Sequence, residues 1–295
     1  MNQSSEVKSN NKWIIGIVGT GTMGMGIAQV AASAGHLVLL YDARPGIAQL
    51  AIEQIGGSLK KLVIKGRLEQ AAQELILQHL TPIDHLMALV KVDLVIEAIS
   101  EDLEAKQNLF KDLEALVGPS TILASNTSSI SITAIANGLS NPKRLIGMHF
   151  FNPVTVLRLV EVVPSLLTSE ETVSSTRSFA ENILNKRVIL AKDRAGFIVN
   201  SLLIPYILSA IRMLESGYAS AEDIDNGMVE GCAHPMGPLR LADLIGLDTT
   251  AAVAESLYAE FKEQLFSPPP LLCRMVEAGL LGRKSSRGFY DYARS

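Results

Sequence analysis

The chain has 295 residues, 48% hydrophobic and 19% charged, with 26 Lys and Arg against 30 Asp and Glu for a net charge of −4. That is ample apolar material for two ordinary cores and lacks the signature of disorder. An acidic balance repels polyanions, which argues against a nucleic-acid partner. The two cysteines, Cys232 and Cys273, form no CxxC pair, and the five histidines, His36, His79, His85, His149 and His234, show no paired spacing. Neither set points to a metal, and the cysteines read as reduced thiols. Residues 1–12 are polar, and no signal, transit or membrane segment follows. The composition thus points to a cytoplasmic protein.

In chain order, Trp13–Val18 is a short Ile/Val-rich run bounded by glycine and reads as a buried parallel strand. A helix over Met23–Ala34 closes at Gly35, and Leu37–Tyr41 is the second strand of a right-handed βαβ unit. Helical patterns cover Ile47–Leu80, followed by a strand at Asp93–Ala98, a helix at Leu103–Val117 and a strand at Thr121–Ser125. Further strands fall at Leu145–His149, Leu157–Val163 and Val188–Ala191, which together predict a doubly wound, Rossmann-type α/β sheet over residues 13–194. From there the pattern is helical: Phe197–Ser216, Ala221–Cys232, Asp248–Leu265 and Leu271–Ala278, a smaller all-helical domain over 195–295. Ser220 and Asp223 form a plausible capping pair for the second of these.

Between the first strand and helix stands Gly19-Thr20-Gly21-Thr22-Met23-Gly24. Alone a GxGxxG is a weak signal, but in a βαβ unit each glycine has a task. Gly19 allows the tight turn, Gly21 lets the backbone approach a pyrophosphate, and Gly24 packs the helix on the strand. The helix N-terminus, including Thr22 and Met23, then faces the phosphates. Asp42 ends the second strand eighteen residues beyond Gly24, where an acid binds the adenosine ribose and repels the 2′-phosphate of NADP. Arg44 pulls the other way, since a nearby arginine accommodates that phosphate; the reading is NAD. Gly279–Ser285 looks superficially like a phosphate loop but lacks the glycine spacing and a preceding strand.

Ser125-Asn126-Thr127-Ser128-Ser129 follows one strand and Met148-His149-Phe150-Phe151-Asn152-Pro153 another, where ligand residues gather in open α/β sheets. The first stretch would also serve as a helix N-cap. Glu161 is an acid in an otherwise apolar run, and a strand returning past His149 could set its carboxylate against the imidazole.

Several stretches together carry a specific resemblance: GTGTMGMGIAQ, LVIEAISEDLEAK, ILASNTSSISIT, IGMHFFNPV, LVEVV, AGFIVN, HPMGPL and LGRKSSRGFYDY. From about Ile14 to Tyr290 the chain resembles the 3-hydroxyacyl-CoA dehydrogenases, nearest their short bacterial 3-hydroxybutyryl-CoA members. The resemblance implies that His149 is the general base, Glu161 its orienting partner, and that Ser128 and Asn200 hold the substrate oxygen. It places Glu97, Glu101, Lys106 and Asn126 on the cofactor and Lys61 and Lys65 on coenzyme A, and it implies a homodimer joined through the helical domain. A neutral imidazole suits proton removal, and a carboxylate behind it fixes its tautomer. An exposed pair of lysines at i, i+4 is also what an ordinary solvated helix face presents.

The family usually has proline where this chain has Ala195, arginine where it has Ser201, glutamate where it has Arg240 and glycine where it has Ser286. None of these removes a catalytic group. Two rival readings use the same residues or none: a dehydrogenase of hydroxyacyl groups carried on an acyl carrier protein, and a non-catalytic NAD-binding protein.

Overall fold

A computed structural model describes residues 12–293. The chain divides into two compact units, one ending at Asp193 and the other starting at Arg194.

In the first unit, β1 (Ile14–Val18), α1 (Thr22–Ser33) and β2 (Leu37–Tyr41) open the fold, followed by α2 (Ile47–Ile64), α3 (Gln70–Gln78), β3 (Leu80–Pro82) and β4 (Leu94–Glu97). Then come α4 (Leu103–Leu116), β5 (Ile122–Ser125), α5 (Ile132–Ala136), β6 (Leu145–Phe150), β7 (Leu159–Pro164), α6 (Glu170–Ser178) and β8 (Arg187–Leu190). The eight strands lie in the order β3-β2-β1-β4-β5-β6-β7-β8. Pairing is parallel except between β6 and β7. Every residue of β4, β5 and β6 is buried, because helices cover both faces of a parallel sheet. Ile15, Ile17, Val38, Leu40, Ile96 and Ile146 form the centre of that core. This is the doubly wound sheet that the alternation of elements predicts. The order of the strands reverses between β1 and β4, so the crevice beyond their carboxyl ends is where such a sheet takes a ligand.

The 47–80 region holds two helices separated at Gly66, whose φ is +65°, and ends in the three-residue β3. A strand that short carries no periodicity of its own; it exists because β2 offers it an edge to pair with. Helix α6 was not foreseen either, and beyond it Phe179–Ile183 continues as one wide π turn.

The second unit comprises α7 (Val199–Glu215), α8 (Ala221–Cys232), α9 (Pro238–Ile245), α10 (Leu247–Phe261) and α11 (Pro270–Glu277). Ile207, Leu208, Ile211, Leu239, Leu247 and Leu257 form its core. Ser220 caps α8, accepting from the Asp223 N–H at 3.1 Å. Helix α9 escapes a sequence reading because Pro235, Gly237 and Pro238 look like a loop, yet Pro238 occupies the helix N-terminus, where proline is favoured. Buried Asp225 supplies the missing cap by accepting from the Leu239 and Arg240 N–H groups. Asp243, also buried, gathers the Phe289 and Tyr290 N–H groups and the Tyr292 hydroxyl, which ties the closing segment to α9.

Three of the departures from the family pattern have structural counterparts. The Ala195 N–H donates to Glu260 at 2.7 Å, a bond proline could not make. The Ser201 hydroxyl donates to the carbonyls of Phe197 and Ala195. The Arg240 guanidinium lies 3.9 Å from the centre of the Tyr290 ring, a cation–π stack that glutamate could not form.

Candidate active site

The turn after β1 meets the one after β4. Gly19 has φ +94°, and a Cβ there would lie 2.5 Å from the Ala98 carbonyl oxygen, so no other residue fits. A Cβ on Gly24 would fall 1.9 Å from the Gly19 oxygen, whereas one on Gly21 would meet nothing within 4 Å. The turn is therefore closed toward the protein and open at the N-terminus of α1, where the first-turn amides of Thr22, Met23 and Gly24 lack intrahelical partners. This is the shape a pyrophosphate needs, and the residues present fit NAD.

Asp42 follows β2 and is already heavily engaged. Its Oδ2 accepts from the Thr20 N–H at 3.2 Å, the Thr20 hydroxyl at 3.0 Å and Arg44 Nη2 at 3.3 Å. Its Oδ1 accepts from the Arg44 N–H at 3.1 Å and Arg44 Nε at 3.0 Å. Burial pushes the Asp42 carboxyl up, but the bonds from Arg44 and Thr20 outweigh it and bring the pKa down to about 2.

Behind the crevice lies an ionic cluster. Glu97, at the end of β4, is fully enclosed; it accepts from Lys106 Nζ of α4 at 2.5 Å, from the Ser125 hydroxyl at 2.6 Å and from the Ile99 N–H at 2.7 Å. Lys106 is only 1% exposed and also lies 3.3 Å from Glu101. A buried pair of this kind needs such extra bonds to offset its desolvation. Of Glu97, Glu101 and Lys106, only Glu101 presents to solvent; Glu97 is enclosed and acts on the site through Lys106 and Ser125.

Glu101 in turn organises the loop after β5. One of its oxygens accepts from the Thr127 hydroxyl at 2.6 Å and the Ser128 N–H at 2.8 Å, with the Ser129 N–H and the Ser128 and Ser129 hydroxyls at 3.2 Å. One oxygen cannot accept five strong bonds, and of the two hydroxyls at 3.2 Å that of Ser128, the less buried serine, is the more readily redirected. Burial would raise the Glu101 carboxyl, but Lys106 and the loop donors together hold it below the usual carboxylate range. Asn126 uses its side-chain oxygen on the Phe150 N–H at 3.0 Å, tying the end of β5 to the end of β6.

His149, in β6, is 6% exposed and stands opposite Glu161 of β7, which is fully buried. His149 Nδ1 lies 2.7 Å from a Glu161 carboxylate oxygen, and the Phe151 ring packs 4.5 Å from the imidazole centre. A carboxylate on Nδ1 selects the tautomer protonated there and makes Nε2 the basic nitrogen. The returning strand therefore does bring the acid to the histidine. Ser128, His149 and Glu161 all lie at the carboxyl ends of β5 and β6 or on the strand beside them, in the first unit. Asn200 lies in the first turn of α7, in the second unit. Lys61 and Lys65 are both exposed at the end of α2.

A residue without any sequence signal is Lys186. It is 8% exposed, and its ammonium donates to the Val154 and Leu157 carbonyls, holding the segment that joins β6 to β7. Burial, then the charge of Arg158, pushes its pKa down. Val154 packs on Gly26 of α1, where an added Cβ would come within 2.8 Å. Beside that contact a groove is lined by Thr22 and Gly26, by Gln54 and Ser58 of α2, and by residues 152–155.

A dinucleotide cradle at the switch point, an acid at the end of the second strand and a histidine–carboxylate pair at the neighbouring strand ends define an NAD-dependent oxidoreductase. No group of His, Cys, Asp and Glu among the described residues could hold a metal, and no helix among them is long and apolar enough to cross a membrane. Comparison with known proteins makes the class specific. The family description "3-hydroxyacyl-CoA dehydrogenase, NAD binding domain" matches residues 14–194, and that family's C-terminal domain matches 196–292. The chain belongs to the 3-hydroxyacyl-CoA dehydrogenase family. It is 48% identical over 279 residues to a 3-hydroxybutyryl-CoA dehydrogenase of Mycobacterium tuberculosis, covering 94% of this chain and 98% of that one. It is also similar to the crystal structure of FadB2 from that organism, with a TM-score of 0.94 and 47% identity, covering 96% of this chain and 100% of the other. The (S)-3-hydroxybutyryl-CoA dehydrogenase PaaH1 of Ralstonia eutropha gives a TM-score of 0.91 at 43% identity, covering 96% and 100%.

Proposed function

We propose that this enzyme interconverts the 3-hydroxyl and 3-keto groups of a short acyl-CoA, 3-hydroxybutyryl-CoA and acetoacetyl-CoA being the pair its relatives' names favour. The observation that carries the reading is the 2.7 Å contact of His149 with Glu161 beside the dinucleotide cradle. Bound NAD supplies the hydride acceptor. His149 Nε2 takes the proton of the 3-hydroxyl during oxidation and returns it during reduction. Glu161 holds the ring and stabilises its cationic form, and the Ser128 hydroxyl, loosely held by Glu101, turns to the substrate oxygen.

Coenzyme A is favoured over a carrier-protein thioester by α2. Ser58, which borders the groove, and exposed Lys61 and Lys65 fall three and four residues apart, so they share one helix face. Only CoA carries a nucleotide 3′-phosphate for such lysines to meet. A homodimer accords with the stripe formed by Ile198, which precedes α7, and Leu202 and Met213 on it, which are 40%, 73% and 40% exposed. The unbridged cysteines suit a cytoplasmic setting.

The test follows NADH oxidation with acetoacetyl-CoA, longer 3-ketoacyl-CoAs and the pantetheine analogue of acetoacetyl-CoA. Turnover of the CoA thioester, with KM raised for the analogue and for Lys61→Ala/Lys65→Ala but kcat retained, supports the reading. No turnover of any CoA thioester overturns it. Equal use of CoA and pantetheine substrates, unaltered by the double substitution, returns the lysines to a solvated face.

A further inference from the structure

The Asp42 carboxylate accepts five hydrogen bonds, two from Thr20 and three from Arg44. A carboxylate has about four lone-pair positions. It is therefore full before any ribose arrives, and the hydroxyls of an adenosine ribose can donate to it only if a present donor leaves. The two backbone N–H groups are fixed by the turns that carry them. The Arg44 side chain is 72% exposed and, among the described residues, Asp42 is its hydrogen-bond partner, so it is the donor that yields. Its fork is then left two residues from the acid, beside the ribose.

We propose that Arg44 is a latent 2′-phosphate ligand held in check by Asp42, so that the preference of this site for a bare ribose depends on one carboxylate. A 2′-phosphate meets two opposed charges here, and the carboxylate both repels it and occupies the guanidinium. Loss of the Asp42 charge removes both obstacles in one step. Arginine then offers the planar, two-point contact that suits a phosphate. The inference rests on the dinucleotide cradle and not on the identity of the thioester, so the two fail independently.

The experiment measures binding rather than turnover, by the fluorescence of NADH and NADPH titrated with wild type, Asp42→Asn, Arg44→Ala and the double variant. Wild type binds NADH the more tightly. Asp42→Asn binds NADPH more tightly than wild type does by about tenfold or more, the worth of one charge-assisted contact. The double variant loses that gain, and adenosine 2′,5′-bisphosphate displaces NADPH from Asp42→Asn better than 5′-AMP does. The gain shrinks with added salt, because an exposed guanidinium is screened. Should Asp42→Asn not fold, Asp42→Ser takes its place in the same comparison, with and without Arg44→Ala. NADPH binding by the Asp42 variant no tighter than wild type, or a gain that survives Arg44→Ala, overturns the proposal.

Discussion

His149 and Glu161 are register partners across the antiparallel β6 and β7, and their side chains meet at 2.7 Å between ring nitrogen and carboxylate. Residues directly opposite in such a pair have Cβ atoms only about 4.5–5.5 Å apart, so the contact is set by the sheet and not by a loop. His149→Gln should fold, bind NADH and lose about 10²- to 10⁴-fold in kcat, the share of a general base. Glu161→Gln should also slow turnover, with the pH dependence of kcat/KM displaced. Near-normal kcat in His149→Gln, measured with acetoacetyl-CoA, would remove it from the chemistry.

The ammonium of Lys186 holds two carbonyls of the segment between those strands. Lys186→Met leaves both carbonyls without this donor, and the enclosed one of Val154 costs about 1–3 kcal/mol when unpaired. Thermal unfolding should show a lowered Tm, and KM for the thioester should rise more than kcat falls, because the segment borders the groove. An unchanged Tm would mean that the carbonyls find other donors.

Ser286 has φ +60°, a left-handed conformation that a side chain resists. Glycine adopts this conformation freely, so Ser286→Gly should stabilise the protein by about 1 kcal/mol, relieving the strain. A denaturant titration reads this directly as a raised midpoint.

Asp42 has its carboxyl lowered from 3.8 to about 2, and Glu101 is also held low. A depressed carboxyl adds stability that is complete above its unfolded pKa and disappears as pH falls through the folded value. The Asp42 contribution is therefore whole above about pH 4 and lost between there and about pH 2. NADH affinity should accordingly stay level from neutral pH to about pH 5, provided the fold persists. A fall centred near pH 6 in fluorescence titrations would show that another group controls the site.

Much of this was legible because glycines punctuate it. The bounds of β2 and α8 follow from the sequence, as does the first βαβ unit, since Gly19 and Gly35 stop their neighbours by backbone conformation alone. The approach of Glu161 to His149 was readable as a lone acid in an apolar strand. What escaped depends on distant partners. Glu101 draws in Thr127–Ser129 from 26 to 28 residues away, and Lys186 reaches carbonyls 29 and 32 residues off. No local pattern encodes such meetings. The grip of Arg44 on Asp42 is local, but sequence could state only the two tendencies, not which one prevails.

Glu260 takes the Arg194 guanidinium with one oxygen and the Ala195 N–H with the other. Ala195 in turn lends its carbonyl to the Ser201 hydroxyl, so two positions where this chain parts from its family lean on each other. Proline at 195 would leave one oxygen of Glu260 without its donor. A substitution at 195 is therefore felt at Glu260, and accommodating it would take a second change there.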